Sequence, residues 1–350
     1  MRLISTLFIV FLVVSCKKDD PEISPVAETL DNGMIVLCEG LFQYNNASVS
    51  WVNFENGAIS NDLFVSKTGR QLGDTGNDMK QYGGKIYIVV NVSSTIEVMD
   101  AITFKPIQQI SMIANGTAKQ PRSLAFSGGK VYVTCYDGYV DVIDTMSLTV
   151  TQRIQVGSNP EGLSVSNNKL YVANSGGLNF PVPDSTISVI DLNTHTEIKK
   201  ITIGINPGGV ITDSQGDVYA IIRGDYAGVP SRIVRIDTQN DVLAETFSFD
   251  ATSVYSMNNQ FLISFYNYSN ETSSIGLFDP LTETLISPNY ISTAGITTLY
   301  GMKYNSVKNT IFILDAMNYT NTGYVREYST SGVELTNYNV GLNPTKIIFK

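Results

Sequence analysis

The chain carries a single histidine, His195, in the stretch "LNTHTEI". A histidine acting as general base must sit in a cleft beside the group it deprotonates, and a triad would need a serine within hydrogen-bond reach. The polar residues around His195 place it in a solvated turn at the outer edge of a sheet, so no acid–base chemistry is expected there. Neither His nor Cys recurs at a spacing suited to zinc. Oxygen ligands are better represented: Glu39, Asn91, Asn174 and Asp315 lie at or beside strand ends. A calcium ion takes about six to eight such oxygens. However, Asn and Asp at strand ends commonly bond loop backbone, and these four lie on alternating strand parity and cannot all point inward. No metal or other cofactor is expected, and calcium is the disfavoured alternative.

The elements that must position these residues form a repeat. "GSNPEGLSVSNNKLYVANSG" (157–176) and "GINPGGVITDSQGDVYAIIRG" (204–224) open on one Gly-x-Asn-Pro phrase, and the chain stops on it again in "GLNPTKIIFK" (341–350). After the phrase come a strand, a polar turn, a second strand, a loop, a third strand ending in an acid or amide, and a fourth strand. Alternation rich in Val, Ile and Tyr, bounded by Gly, Asn, Asp and Pro, is the mark of strands and turns. The third strands are expected to end at Asn53, Asp100, Asp144, Asp191, Asp237, Asp279 and Glu327, which are 42 to 48 residues apart. Four strands per period of about 40–50 residues make a propeller blade. The expected fold is therefore all-β, a seven-bladed β-propeller of four-stranded blades. The first unit begins at "NGMIVLCEG" (32–40), on what is the second strand elsewhere. The C-terminal strand, 343–350, completes that first blade and closes the ring, which protects strand edges from pairing with other chains. Tyr87, Tyr132, Tyr171, Tyr219 and Phe312 recur at one strand position and read as packing between blades. Asp144, Asp191 and Asp237 read as turn caps.

The stretch "KVYVTCYDGYVDVIDTMSLTVTQRIQVGSNPEGLSV" (130–165), with "VYVTC" and "LYVAN", closely resembles the repeat of YVTN-type β-propellers over roughly residues 80–240. The N-terminus, "MRLISTLFIVFLVVSCKKDD", has Arg2, an apolar run too short for a span of about 20 residues, and Val13-Val14-Ser15-Cys16. This resembles a bacterial lipoprotein signal peptide (1–15), with Cys16 as the acylated first residue of the mature protein. "CKKDDPE" is similar to the tag that sends Bacteroidetes lipoproteins to the outside of the outer membrane. Residues 16–31 then form a flexible tether, polar and with two prolines, and 32–350 the propeller. The remaining thiols, Cys38 and Cys135, fall at one strand position in non-adjacent blades, too far apart for the Cα separation of about 4.4–6.8 Å that a disulfide needs. They are expected to be free and buried.

Composition narrows the partners. The net charge is −9 with charged residues at 16%, and no Lys/Arg-rich patch stands out, so nucleic acid is not an expected partner. What differs between units is the loop after the second strand. It is tight in "NVSST" and "YDGY" but expanded at 39–48, 174–186, 223–231, 266–274 and 315–324. Insertions gathered on one face mark the binding face of a repeat protein, and aromatics among Asn, Ser and Gly suit recognition. The expected ligand-binding residues are Phe42, Tyr44, Asn91, Tyr136, Asn174, Phe180, Arg223, Tyr226, Tyr266, Asp315, Met317 and Asn318; Tyr268 and Tyr319 lie on the same loops. The lipoprotein resemblance implies a ligand and partner: similar seven-bladed surface lipoproteins capture cobalamin for a TonB-dependent transporter. A surface module for another protein or a glycan would use the same face. A lactonase-type hydrolase would need the four oxygen-bearing residues to hold a metal.

Overall fold

A computed structural model describes residues 29–179, 181–267 and 270–350. The expected signal peptide, Cys16, most of the expected tether, Phe180 and Tyr268 lie outside the described residues. The described residues form seven four-stranded antiparallel sheets and one two-stranded ribbon (Ile113–Ala114 with Thr117–Ala118). Within each of six blades the strands follow chain order, as in Gly76–Tyr82, Lys85–Val90, Thr95–Asp100 and Pro106–Ser111. The remaining blade, blade one in chain order, is composite. Its strands Gly33–Cys38, Ser48–Asn53 and Ile59–Ser60 come from the N-terminal end, and Pro344–Phe349 from the C-terminus supplies the innermost strand. Ile35 lies opposite Ile348, and the ladder is framed by Gly33 N to Lys350 O (3.1 Å) and Glu39 N to Asn343 O (2.9 Å). The ring closes as expected.

The core sits between blades, because each sheet buries both faces against its neighbours. Seven buried clusters follow one another around the ring, one at each blade–blade contact. The aromatic column is the recurrent plug: Tyr87, Tyr132, Tyr171, Tyr219 and Phe312 are all buried. Three of its hydroxyls also reach the third-to-fourth-strand turn of the next blade. Tyr171 Oη donates to Asp241 Oδ1 (2.5 Å), Tyr219 Oη donates to the Pro280 carbonyl (3.1 Å), and Tyr132 Oη lies 3.1 Å from His195 Nε2. His195 is consequently not the solvated turn residue expected: it is half-buried, with Gln152 Oε1 3.1 Å from its other ring nitrogen.

The turn caps hold. Asp144 Oδ1 accepts from the amides of Met146 (3.0 Å) and Ser147 (2.8 Å), and Asp191 and Asp237 do the same in their blades. The ion pair with Lys130, followed by those amides, holds the Asp144 carboxyl well below its ordinary value. One expected mark is displaced. Ser329, not Glu327, ends the third strand of blade seven, and Glu327 sits two residues inside, buried and bonded by Lys308 (2.6 Å) and Thr310 (2.9 Å). Helix Leu63–Thr68 follows the two-residue fourth strand of blade one and buries Leu63 and Phe64 in the adjoining core. Cys38 and Cys135 are free and buried, and burial pushes the Cys38 thiol up to about 11.

Removal of residues 344–350 would expose the Gly33–Cys38 edge and uncover the blade one contacts. The expected outcome is loss of the cooperative thermal transition seen by circular dichroism, whereas a sharp melt at the parental temperature would show that closure is not what holds the ring.

Candidate functional site

The innermost strands line the ring axis, and six of them shift register near the loop-bearing end. The extra residue is Asn77 in Gly76–Tyr82, Tyr300 in Leu299–Asn305 and Thr345 in Pro344–Phe349. In Pro121–Ser127, Pro160–Ser166 and Pro207–Thr212 the shift spans Arg122-Ser123, Glu161-Gly162 and Gly208-Gly209. A bulge re-aims the side chain it carries. Here the displaced residues meet Glu39, Arg223 and Lys346 around one cavity of about 290 Å³, the axial mouth.

The mouth is built on one carboxylate. Glu161 accepts from Arg122 Nε (3.2 Å) and Nη2 (3.1 Å), and from the Tyr136 hydroxyl, while Arg223 Nη1 lies 3.7 Å away. The Arg122 guanidinium rests 4.7 Å over the Tyr136 ring, and its backbone carbonyl accepts from Asn77 Nδ2 (2.6 Å). Arg223 fits because its neighbour is glycine: a Cβ on Gly208 would come within 2.6 Å of its Cζ. Across the mouth, Tyr300 donates to Glu39. Burial alone would raise the Glu161 carboxyl, but Arg122, Arg223 and the Tyr136 hydroxyl more than reverse it and hold it below its ordinary value. The Tyr136 and Tyr300 hydroxyls are pushed up, first by burial and then by the adjacent glutamates.

Three expanded loops border this mouth. Loop 39–48 is tied down by Asp74, whose carboxylate accepts from Gln43 N (3.1 Å) and Asn45 N (3.3 Å), yet Phe42 and Tyr44 remain 66% and 70% exposed. Loop 223–231 is pinned by Asp225, which accepts from Ala227 N (3.0 Å) and Val229 N (2.7 Å), and it presents Tyr226 at 64% exposure. Loop 315–324 is turned by Asn318 and holds Tyr319 edge-on to Tyr300, ring centres 5.9 Å apart. Phe42 and Tyr44 are thus presented outward on an anchored loop, while Tyr226, whose hydroxyl accepts from Asn206 Nδ2 (3.3 Å), and Tyr319 are held at the rim by contacts to the ring.

The expected residues therefore separate into groups. Tyr136 and Arg223 belong to the mouth, and Phe42, Tyr44, Tyr226, Met317 and Asn318 to the loops around it. Tyr266 lines a different recess, with Asp250 and Asn289. The oxygen-bearing set is not brought together. Asn174 is buried, accepting from Gly157 N (3.0 Å) and donating to Thr186 and Ser188 (2.9 Å each). Asp315 accepts from the amides of Thr297, Thr298 and Met317 and pairs with Arg326 at 3.1 Å. Asn91 donates to the Pro121 carbonyl (2.9 Å). Among the described residues no group of three or more His, Cys, Asp or Glu side chains could hold a metal ion. Arg122, Glu161, Tyr300 and Asn77 were missed by sequence reasoning. Their signal was positional: Arg122 and Glu161 directly follow the turn proline, where the other repeats place Gly208 and Thr345.

The chain belongs to the family described as Domain of unknown function (DUF5074), which matches residues 32–350. No curated protein sequence matches it. Among solved structures it is similar to a quinonprotein alcohol dehydrogenase-like protein from Bacteroides thetaiotaomicron, with 15% identity over 92% of this chain and 79% of that one and a TM-score of 0.66. It is also similar to a candidate 6-phosphogluconolactonase from Bacteroides fragilis, with 12% identity over 93% and 100% of the two chains and a TM-score of 0.62. Hydrazine synthase from Kuenenia stuttgartiensis aligns at 15% identity over 75% and 85%, with a TM-score of 0.60. At these identities the likeness is one of fold.

Replacing Glu161 by Ala strands two arginines in a half-closed site, at an expected cost of about 3 kcal/mol at neutral pH. Because the folded-state value of Glu161 is lowered, its contribution is fully present above the ordinary glutamate value of about 4.3 and fades as pH falls through the lower folded value. Urea unfolding at descending pH should show the variant and parent converging in acid; a gap independent of pH would refute the ion-pair account.

Proposed function

We propose that this protein is a non-enzymatic binding module, a lipid-anchored cell-surface propeller that captures a ligand over its axial mouth. The observation that carries this reading is the rim: Phe42, Tyr44, Tyr226 and Tyr319 stand exposed on anchored loops around a polar opening. Rigid aromatic side chains give large contact area at small entropic cost. The carboxylates of the mouth are already engaged, Glu161 with two arginines and Glu39 with Tyr300. That arrangement suits a docking surface better than a general base. A hydrolase of lactonase type finds less support, because the two carboxylates and two amides it would use for a metal are bonded to separate partners, Tyr300, Arg326, the Pro121 carbonyl and Ser188.

Cobalamin is the first ligand to test, on the strength of the lipoprotein resemblance. Its flat corrin ring suits stacking on the rim aromatics, and its amide fringe suits the Asn and Ser of the loops. Delivery to a TonB-dependent transporter would follow from the same reading, with Cys16 as the anchor. Calorimetric titration of the untethered propeller with cyanocobalamin should show one-to-one binding. Replacing Phe42, Tyr44 and Tyr226 together by Ala should weaken it at least tenfold, equivalent to about 1.4 kcal/mol. If the parent protein gives no binding heat, cobalamin is excluded and the rim is a docking surface for a protein or glycan, to be sought by pull-down from the cell surface. Separately, Cys16→Ser should move the expressed protein from the detergent phase to the aqueous phase; unchanged partitioning would rule out the lipid anchor.

A further inference from the structure

Beneath the mouth, the innermost strands enclose a second cavity of about 410 Å³. It shares Ser123, Gly162, Gly209, Thr345 and Lys346 with the mouth, and Met79, Lys80, Lys303 and Ile347 with a third cavity at the far end. The three cavities thus succeed one another along the axis and share walls. The chain as a whole is acidic, at −9, yet the charged side chains on the wall of this middle cavity are Lys80, Lys303 and Lys346 against Asp78 alone.

The lysines arise from three consecutive blades, on Leu299–Asn305, Pro344–Phe349 and Gly76–Tyr82, strands that touch in that order. Lys80 pairs with Tyr87 and Lys303 with Phe312, two members of the aromatic column, so these lysines share one level of the channel. Lys346, opposite Leu37, stands two residues nearer the mouth, since Ile35 opposite Ile348 holds the level of Tyr87 and Phe312. Asp78 does not balance them. Its carboxylate accepts from Met79 N (2.9 Å) and Leu124 N (3.0 Å) and lies 3.5 Å from Lys80, which itself donates to the Leu124 carbonyl (2.6 Å). Among the described residues neither Lys303 nor Lys346 has a hydrogen-bond or ion-pair partner within the protein. Lys303 stays open to solvent within the cavity, yet desolvation by the surrounding wall, followed by repulsion from Lys80 and Lys346 and against attraction from Asp78, lowers its ammonium from the ordinary value. Such crowding of like charge opposes ionisation, and an anion between the lysines would relieve it.

We propose that the axial channel is a binding site for a small, multiply charged oxyanion, held by Lys80, Lys303 and Lys346. Phosphate and polycarboxylate share the required chemistry, several oxygens carrying more than one charge, and either is small beside the cavity. At the mouth Arg122 and Arg223 are matched by Glu161 and Glu39, so the excess positive charge along the axis is that of the lysines. The site is separate from the aromatic rim, so it stands or falls independently of cobalamin capture.

The test is calorimetric titration of the full chain with sodium phosphate and, in parallel, sodium citrate, at neutral pH and constant ionic strength balanced with chloride. Saturable one-site binding of either is expected, together with a raised melting temperature. Binding of phosphate alone, or of citrate alone, supports the site and identifies its class of oxyanion. Lys303→Met and Lys346→Met should each weaken binding about tenfold, while melting at or above the parental temperature in anion-free buffer, because each removes repulsion. Absence of saturable binding by both anions overturns the proposal. So does undiminished binding by the Lys303→Met/Lys346→Met double variant, which would mark an adventitious ion elsewhere.

Discussion

The ladder between Gly33–Cys38 and Pro344–Phe349 is the constraint on which the rest depends. No blade has an interior of its own; each sheet is covered on both faces by its neighbours, and the apolar clusters lie at the contacts. An open ring would leave two terminal faces bare and two innermost edges unpaired, the situation that invites pairing with other chains. Hydrogen bonding the two ends of the chain into one blade removes that terminus. It also sets the radius of the ring, because innermost strands brought around a full circle can surround the axis only at a fixed distance. The channel is a consequence of closure before it is a feature of function.

Between blades, one column of residues performs two tasks. Each tyrosine ring fills the contact with the next sheet, and at Tyr132, Tyr171 and Tyr219 the hydroxyl reaches across to that sheet's outer turn. A buried hydroxyl without a partner would cost stability, so the turn that receives it is tied to the core. This explains why the lone histidine is half-buried. Its ring lies at the outer edge, as the pattern of strands implies, but its place in the chain puts it under Tyr132 of the preceding blade.

The repeat made nearly the whole fold legible, because strand alternation and turn chemistry are local properties repeated at fixed spacing. All five third-strand ends marked by Asp were where turn caps require them, and Asn53 serves the same purpose in blade one. Glu327 misled because an acid two residues inside the strand imitates the cap that Ser329 replaces. The rim was legible in part, since insertions and exposed aromatics are visible as length and composition. The mouth was not. Strict alternation assigns Arg122, Glu161 and Tyr300 a face that the bulges overrule, and nothing local in "QPRS" or "NPEG" announces the register shift. The pairing of Glu161 with Arg122, Arg223 and Tyr136 joins residues from three blades, which no periodicity can reveal.

The axis is also where the chain departs furthest from what stability alone would select. A carboxylate held between two arginines must overcome its own desolvation, and apolar replacements for such groups are often neutral or stabilising. Lysines on adjoining innermost strands add repulsion to that cost. Elsewhere the sheets are built from Val, Ile, Leu and Tyr, and the glycines at 162, 208 and 209 show that the axial positions tolerate very small residues. Charged side chains at the axis therefore do not follow from closing a ring. They coincide with the axis, where every blade contributes to the wall of one cavity beneath the end carrying the expanded loops. Rim, mouth and channel thus succeed one another along the axis, with aromatic contacts outermost and cationic ones deepest.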